Sequence, residues 1–180
     1  MKNKALLILV ILLGLLFTYL AFRKTDEEQL GKVKVSRPPK IRIVYSRKQK
    51  PSDRFKITNS ETAVQLLRQI WSNQIEVREE FILLLLDRNN RVLGYELLSK
   101  GGISGTVADI RLIFSVALKA LASGIVLAHN HPSGNLNPSI ADEQITKRIK
   151  EAGNTFNIPV LDHIIITKET YYSFADNGKL

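Results

Sequence analysis

The stretch GIVLAHNHPSGNLNPSIAD, residues 124–142, changes character twice. It opens as an apolar run, breaks at Pro132, Ser133 and Gly134, and restarts at Pro138 and Ser139. The run predicts a buried strand. The Pro-Ser-Gly sequence predicts a sharp turn. Ser139 predicts the start of a helix that runs to Glu151 and closes at Gly153. In a strand, residues i and i+2 face one side, so His129 and His131 project together from its end. Ser139 and Asp142 lie nearly one helical turn apart and share a face. So short a turn brings the helix start back against the strand end. Two of the chain's three histidines therefore meet a serine and a carboxylate.

Each half of this pattern has a plain structural reading. A His-x-His pair alone is more often structural than metal-binding, and S-x-x-D before an apolar helix is an ordinary helix start. Their conjunction points to a metal. Two imidazoles and one carboxylate fill three of the four positions of a tetrahedral zinc site. The fourth position is left for water, as in catalytic rather than structural sites. The chain has no cysteine, which excludes a thiolate site and any disulfide framework.

Outward from this stretch, helices and strands alternate without repeats. KIRIVYS, Lys40 to Ser46, alternates and is β-branched, which predicts a strand. SETAVQLLRQIW, Ser60 to Trp71, has apolar residues at helical spacing, with Ser60 as N-cap. EEFILLLLDRNNRVLGYELLS predicts two strands around the turn DRNNR, and the run Phe81–Leu86 predicts cover on both faces. GGISG, Gly101 to Gly105, is expected to be a flexible loop. An apolar helix is expected over 108–122, ended by Gly124. IPVLDHIIIT and YYSFAD are closing strands. The expected class is α+β, a mixed sheet flanked by helices. His163 is expected as a packed or supporting histidine rather than a ligand, and Asp162 as a support for a site histidine. Arg111 and Lys119 mark the solvated side of their helix.

The N-terminal segment differs in kind. ALLILVILLGLLFTYLAF, Ala5 to Phe22, carries no charge. At about 1.5 Å per residue it would extend roughly 27 Å, close to a bilayer's hydrocarbon thickness. An uncleaved transmembrane anchor is the expectation for residues 1–22, since no small-x-small cleavage site precedes Arg23. A basic linker follows at 23–39, ending at Pro38 and Pro39. Residues 23–57 carry a net charge of +8, and Lys2 and Lys4 add two more. Of the total of +9, residues 58–180 are left with −1. The basic excess belongs to the linker and suits anionic lipid headgroups. By the positive-inside rule, the single-pass chain would hold its C-terminal domain in the cytoplasm. A nucleic-acid arm is the competing reading of these charges. It lacks the interleaved aromatics that would stack on bases.

HNHPSGNLNPSIAD matches H-x-H-x7-S-x2-D, the JAMM (MPN+) metal motif. With LDHIIIT, GGISGT, LLLLDRNNRVLG and the ending YYSFADNG, in that order, the chain from Lys40 onward resembles the RadC-like JAB domain. The resemblance implies a JAB/MPN-like, cytidine-deaminase-like fold over residues 40–180. It implies that His129, His131 and Asp142 ligate one Zn²⁺. It implies that Ser139 orients the oxygen of the intermediate and that an upstream glutamate is the general base. REEF offers Glu79 and Glu80, which face opposite sides of a strand. The family pattern, E-x-F, matches Glu79, and a solvated strand end is the alternative for both. RadC proteins usually carry a helix-hairpin-helix unit ahead of this domain. Here an anchor and a basic linker stand in its place, which argues against DNA repair. The expected activity is that of a zinc metallopeptidase or isopeptidase acting on a peptide or protein substrate. Its rivals are a RadC-type DNA-associated protein and a non-enzymatic module that keeps zinc as a staple.

Overall fold

The structure, a computed structural model, describes residues 13–21, 49–101 and 108–180. The chain divides into two compact units, Met1–Arg42 and Ile43–Leu180. In the first, residues 13–21 are helical, and the Thr18 hydroxyl donates to the Leu15 carbonyl at 2.9 Å. These nine described residues span about 14 Å. Among the described residues no helix is long and apolar enough to cross a membrane. That corrects the anchor expected at Ala5–Phe22. The single-pass placement and the cytoplasmic side inferred from it fall with the anchor. Residues 1–12, the linker at 23–39, the strand expected at Lys40–Ser46 and the loop residues 102–105 lie outside the described residues.

The second unit opens with a short 3₁₀ turn at Pro51–Asp53. Then follow α1 (Ser60–Ile70), β1 (Glu80–Leu86), β2 (Val92–Lys100), α2 (Ile110–Lys119), β3 (Gly124–Asn130), α3 (Ile140–Phe156), β4 (Val160–Ile166) and β5 (Tyr171–Ser173). The strands form one sheet in the order β2-β1-β3-β4-β5. β3 and β4 run parallel, joined by the α3 crossover, and every other pair is antiparallel. This is the α+β class expected, a mixed sheet flanked by helices.

β1 is buried along its whole length, as its unbroken apolar run predicts. Phe81, Leu83 and Leu85 pack with Ile113, Phe114, Leu127 and Ile149 on one face. Ile82, Leu84 and Leu86 pack with Ala63, Val64, Leu67 and Trp71 on the other. Each such side chain contributes about 1.5–3 kcal/mol when fully buried. The central strands are therefore held from both sides, and a site at their ends rests on a stiff support.

Three helix ends differ from the sequence expectation. The N-cap of α1 is Asn59, not Ser60, because Asn59 forms a reciprocal capping box with Thr62. α2 stops at Lys119 with Ala120 as its C-cap, and Leu121, not Gly124, takes the left-handed conformation at φ 53°. α3 runs through Gly153 and closes at Asn157, φ 55°. Gly153 is there for close approach: a Cβ on it would lie 2.5 Å from the carbonyl oxygen of Ile158.

Candidate metal centre

The site forms where β1 begins and β3 ends. Phe81 of β1 pairs with His129 of β3, so Glu79, just ahead of β1, lies at the end from which His129 and His131 emerge. The chain then turns. The Gly134 N–H donates to the His131 carbonyl at 3.0 Å, and Gly134 takes a φ of 78° that favours glycine. The turn delivers the N-terminus of α3. There the Ser139 hydroxyl accepts the Asp142 N–H at 3.1 Å. Asp142 Oδ2 in return accepts from the Ser139 N–H at 2.7 Å and from its hydroxyl at 2.6 Å. This capping box fixes the Asp142 carboxylate.

The carboxylate meets both histidines. His129 Nε2 lies 3.2 Å from Asp142 Oδ1, and His131 Nε2 lies 3.7 Å from Oδ2. The two Nε2 atoms are 3.0 Å apart. His131 Nδ1 faces the Asn135 carbonyl at 2.5 Å. A carbonyl only accepts, so Nδ1 carries the proton and the neutral ring has a bare Nε2. Ligands 2.0–2.1 Å from a tetrahedral zinc ion stand about 3.4 Å from one another, so these spacings fit such an ion. Glu79, His129 and His131 also form a group that could hold a metal, with ligand atoms within 4.8 Å of one another. The donors are nitrogen and carboxylate oxygen, and zinc is among the ions that accept such a set.

The electrostatics follow from crowding. Burial alone would raise the Asp142 pKa. The close approach of His129 and His131 and the hydrogen bond from Ser139 reverse that and hold its carboxyl far below the usual range. The His131 pKa is raised, chiefly by its hydrogen bond to Asp142. The Glu79 pKa is raised by burial, with Asp142 adding to the rise and the two histidines opposing it. Glu79 is thus the more basic carboxylate and Asp142 the more firmly ionised one.

Glu80 faces away, as strand alternation requires. It is not at a solvated strand end but fully buried. Its Oε2 accepts from the Ser72 hydroxyl at 2.8 Å, and Lys100 stands 3.6 Å from Oε1. His163 is packed, with Nε2 2.9 Å from His129 Nδ1. Asp162 supports no site histidine side chain, contrary to expectation. Its carboxylate accepts from the Ser173 hydroxyl at 2.7 Å and the Ala175 N–H at 3.0 Å, and so ties down the C-terminal segment. Arg111 is at the solvated end of α2, paired with Asp109 at 2.7 Å.

Sequence reasoning missed Asn130, Thr146 and the Asn135 carbonyl. Asn130 is buried, its Nδ2 donating to the carbonyls of Ile75 at 2.6 Å and Arg78 at 2.8 Å. An asparagine at a strand end, flanked by two site histidines, was the available signal.

A family model described as the RadC-like JAB domain matches residues 57–179. A UPF0758 protein of Flavobacterium johnsoniae is 50% identical over 123 residues, which cover 68% of this chain and 53% of that one. UPF0758 proteins of Porphyromonas gingivalis and Chlorobium chlorochromatii are 46% identical over 104 residues and 42% identical over 105. These cover 57% and 58% of this chain, and 46% and 47% of theirs. The chain thus spans about half the length of the curated relatives it matches.

Proposed function

The chain belongs to the RadC-like JAB domain family, and from that membership we propose that residues 40–180 form a zinc-dependent hydrolase of amide bonds, a peptidase or isopeptidase. The observation that carries this reading is the convergence of His129 Nε2, His131 Nε2 and the Asp142 carboxylate, with Glu79 beside them. In the proposal the first three hold the ion and Glu79 stays off it.

A bound zinc ion would lower the pKa of a coordinated water toward about 7 and polarise a carbonyl. The chain's residues do the rest. Asp142 stays ionised, its Oδ2 held by the Ser139 N–H and hydroxyl. Glu79, half-buried and more basic than an ordinary glutamate, accepts a proton and returns it to the departing amine. Ser139 first orients Asp142, since its hydroxyl proton is given to Oδ2. Its expected second role, donating to the oxygen of the intermediate, requires that proton to swing away. Phe81, Ala108 and Ile145 line a cavity of about 200 Å³ beside Glu79 and Asp142, which suits a peptide or protein segment with a small apolar side chain.

The test pairs zinc analysis of the purified chain with a peptide-library cleavage screen of wild type and Glu79→Gln. Zinc in both proteins and cleavage by wild type alone support the proposal. A zinc-loaded wild type with no cleavage in either favours a metal staple.

A further inference from the structure

His163 is fully buried and is neither a proposed ligand nor the proposed base. Its ring contacts Phe81 and stacks on Phe174 with centroids 4.8 Å apart. Both ring nitrogens still have polar partners. Nε2 is 2.9 Å from His129 Nδ1. Nδ1 is 2.5 Å from the Thr146 hydroxyl, which is itself 2.5 Å from the Asp142 carbonyl oxygen.

Proton positions along this chain follow from its far end. A carbonyl only accepts, so Thr146 gives its single hydroxyl proton to Asp142. The Thr146 oxygen must then accept from His163 Nδ1–H. Among aromatic rings and out of water, His163 is favoured in its neutral form, and neutral His163 has a bare Nε2. The proton in the next contact must therefore come from His129 Nδ1. His129 Nε2, facing His131 and Asp142, is left with its lone pair.

We infer that Thr146 and His163 are positioning residues that hold His129 in its Nδ1–H tautomer and so keep Nε2 open to a metal ion. The inference rests on the metal reading proposed above. Released from this chain, His129 could carry its proton on Nε2, where the cation belongs. Thr146 sits one turn beyond Asp142 on α3, and His163 comes from β4. A ligand on β3 is thus set by both neighbouring elements. Loss of such a partner typically weakens metal binding about 10–100-fold.

The full chain has three histidines, so ring nitrogen–proton correlation spectra can resolve each one. In metal-free wild type, the proton in the contact between His129 and His163 should sit on His129 Nδ1. A proton on Nε2 instead would overturn the inference. Thr146→Val keeps the shape but removes the acceptor. The His163 proton should then move to Nε2 and donate to His129 Nδ1, driving the His129 proton to Nε2, so that both rings flip. Thr146→Ser should keep the wild-type pattern. In zinc titrations, Thr146→Val and His163→Phe should each bind about 10–100-fold more weakly, with Thr146→Ser unchanged. Melting temperatures would show that the variants remain folded. Wild-type zinc affinity in both weakened variants would also overturn it. Failure of the metal reading looks different. Wild type itself would then take up no zinc, and the spectra would still decide whether Thr146 and His163 set the His129 tautomer.

Discussion

The side-chain oxygen of Asn130 accepts the backbone N–H of Glu80 at 2.7 Å. The residue between the two site histidines thereby sets the start of β1, immediately after Glu79. Its amide nitrogen holds the carbonyls of Ile75 and Arg78, so one side chain organises the approach to β1. Asn130→Asp keeps the shape but leaves those carbonyls without a donor. The expected cost is about 1–3 kcal/mol of stability, read by urea unfolding. Turnover should fall while zinc content stays. Unchanged turnover in a destabilised protein would separate Asn130 from Glu79.

Glu79→Gln keeps the reach of the side chain but cannot accept a proton at neutral pH. Zinc content and melting temperature should change little, and hydrolysis should fall by about 10² to 10⁴. Glu80→Gln, whose side chain faces Ser72 and Lys100, should affect stability more than turnover. If zinc is lost from Glu79→Gln, Glu79 is a ligand and the division of labour proposed above is wrong.

Asp142→Asn should lose zinc to a mild chelator that wild type resists, since an amide is a poorer ligand than a carboxylate. Retained occupancy would remove Asp142 from the ligand set.

In the proposed site, protons and zinc would compete for His131 Nε2. The His131 pKa is raised in the metal-free protein. Zinc affinity should therefore be greatest above that raised value and fall as pH drops through it. The stability of the metal-free protein should behave in the opposite sense. A raised histidine pKa contributes stability that is complete below the unfolded value of about 6.5 and lost as pH rises through the folded one. The depressed Asp142 pKa contributes stability present above about 3.9 and lost as pH falls through its folded value. Thermal melts of metal-free wild type and Asp142→Asn should thus differ most between these limits. An equal difference at every pH would contradict the pairing.

Gly153→Ala would place a methyl group 2.5 Å from the Ile158 carbonyl oxygen. Backbone must move, and the expected loss is about 1–3 kcal/mol. A gain in stability, as helix propensity alone predicts, would show that the α3–β4 connection yields easily.

The parts of the site legible in the sequence were those fixed by short-range geometry. Strand alternation paired His129 with His131 and turned Glu80 away from Glu79. Helical spacing paired Ser139 with Asp142. The rest depended on which strands become neighbours. His163 reaches His129 across 34 positions, and Asn130 reaches Glu80 across 50. No local period encodes either distance. Asp162 was misassigned for the same reason, because β5 and the segment after it approach from the far side. Gly153 read as a helix stop, since a glycine needed for close approach and one needed at a cap look alike in sequence.

β3 and β4 are the sheet's one parallel pair among the described residues, and parallel partners wait for their crossover. During synthesis the chain emerges amino end first. Glu79, His129, His131 and Asp142 all leave the ribosome before His163. A nascent chain that has reached the end of α3 carries the whole proposed ligand set and its base, yet nothing orders the far nitrogen of His129. On the proposed reading, the capacity to hold an ion firmly would arrive with the last long strand, and the timing of metal capture would follow the pairing of β3 with β4.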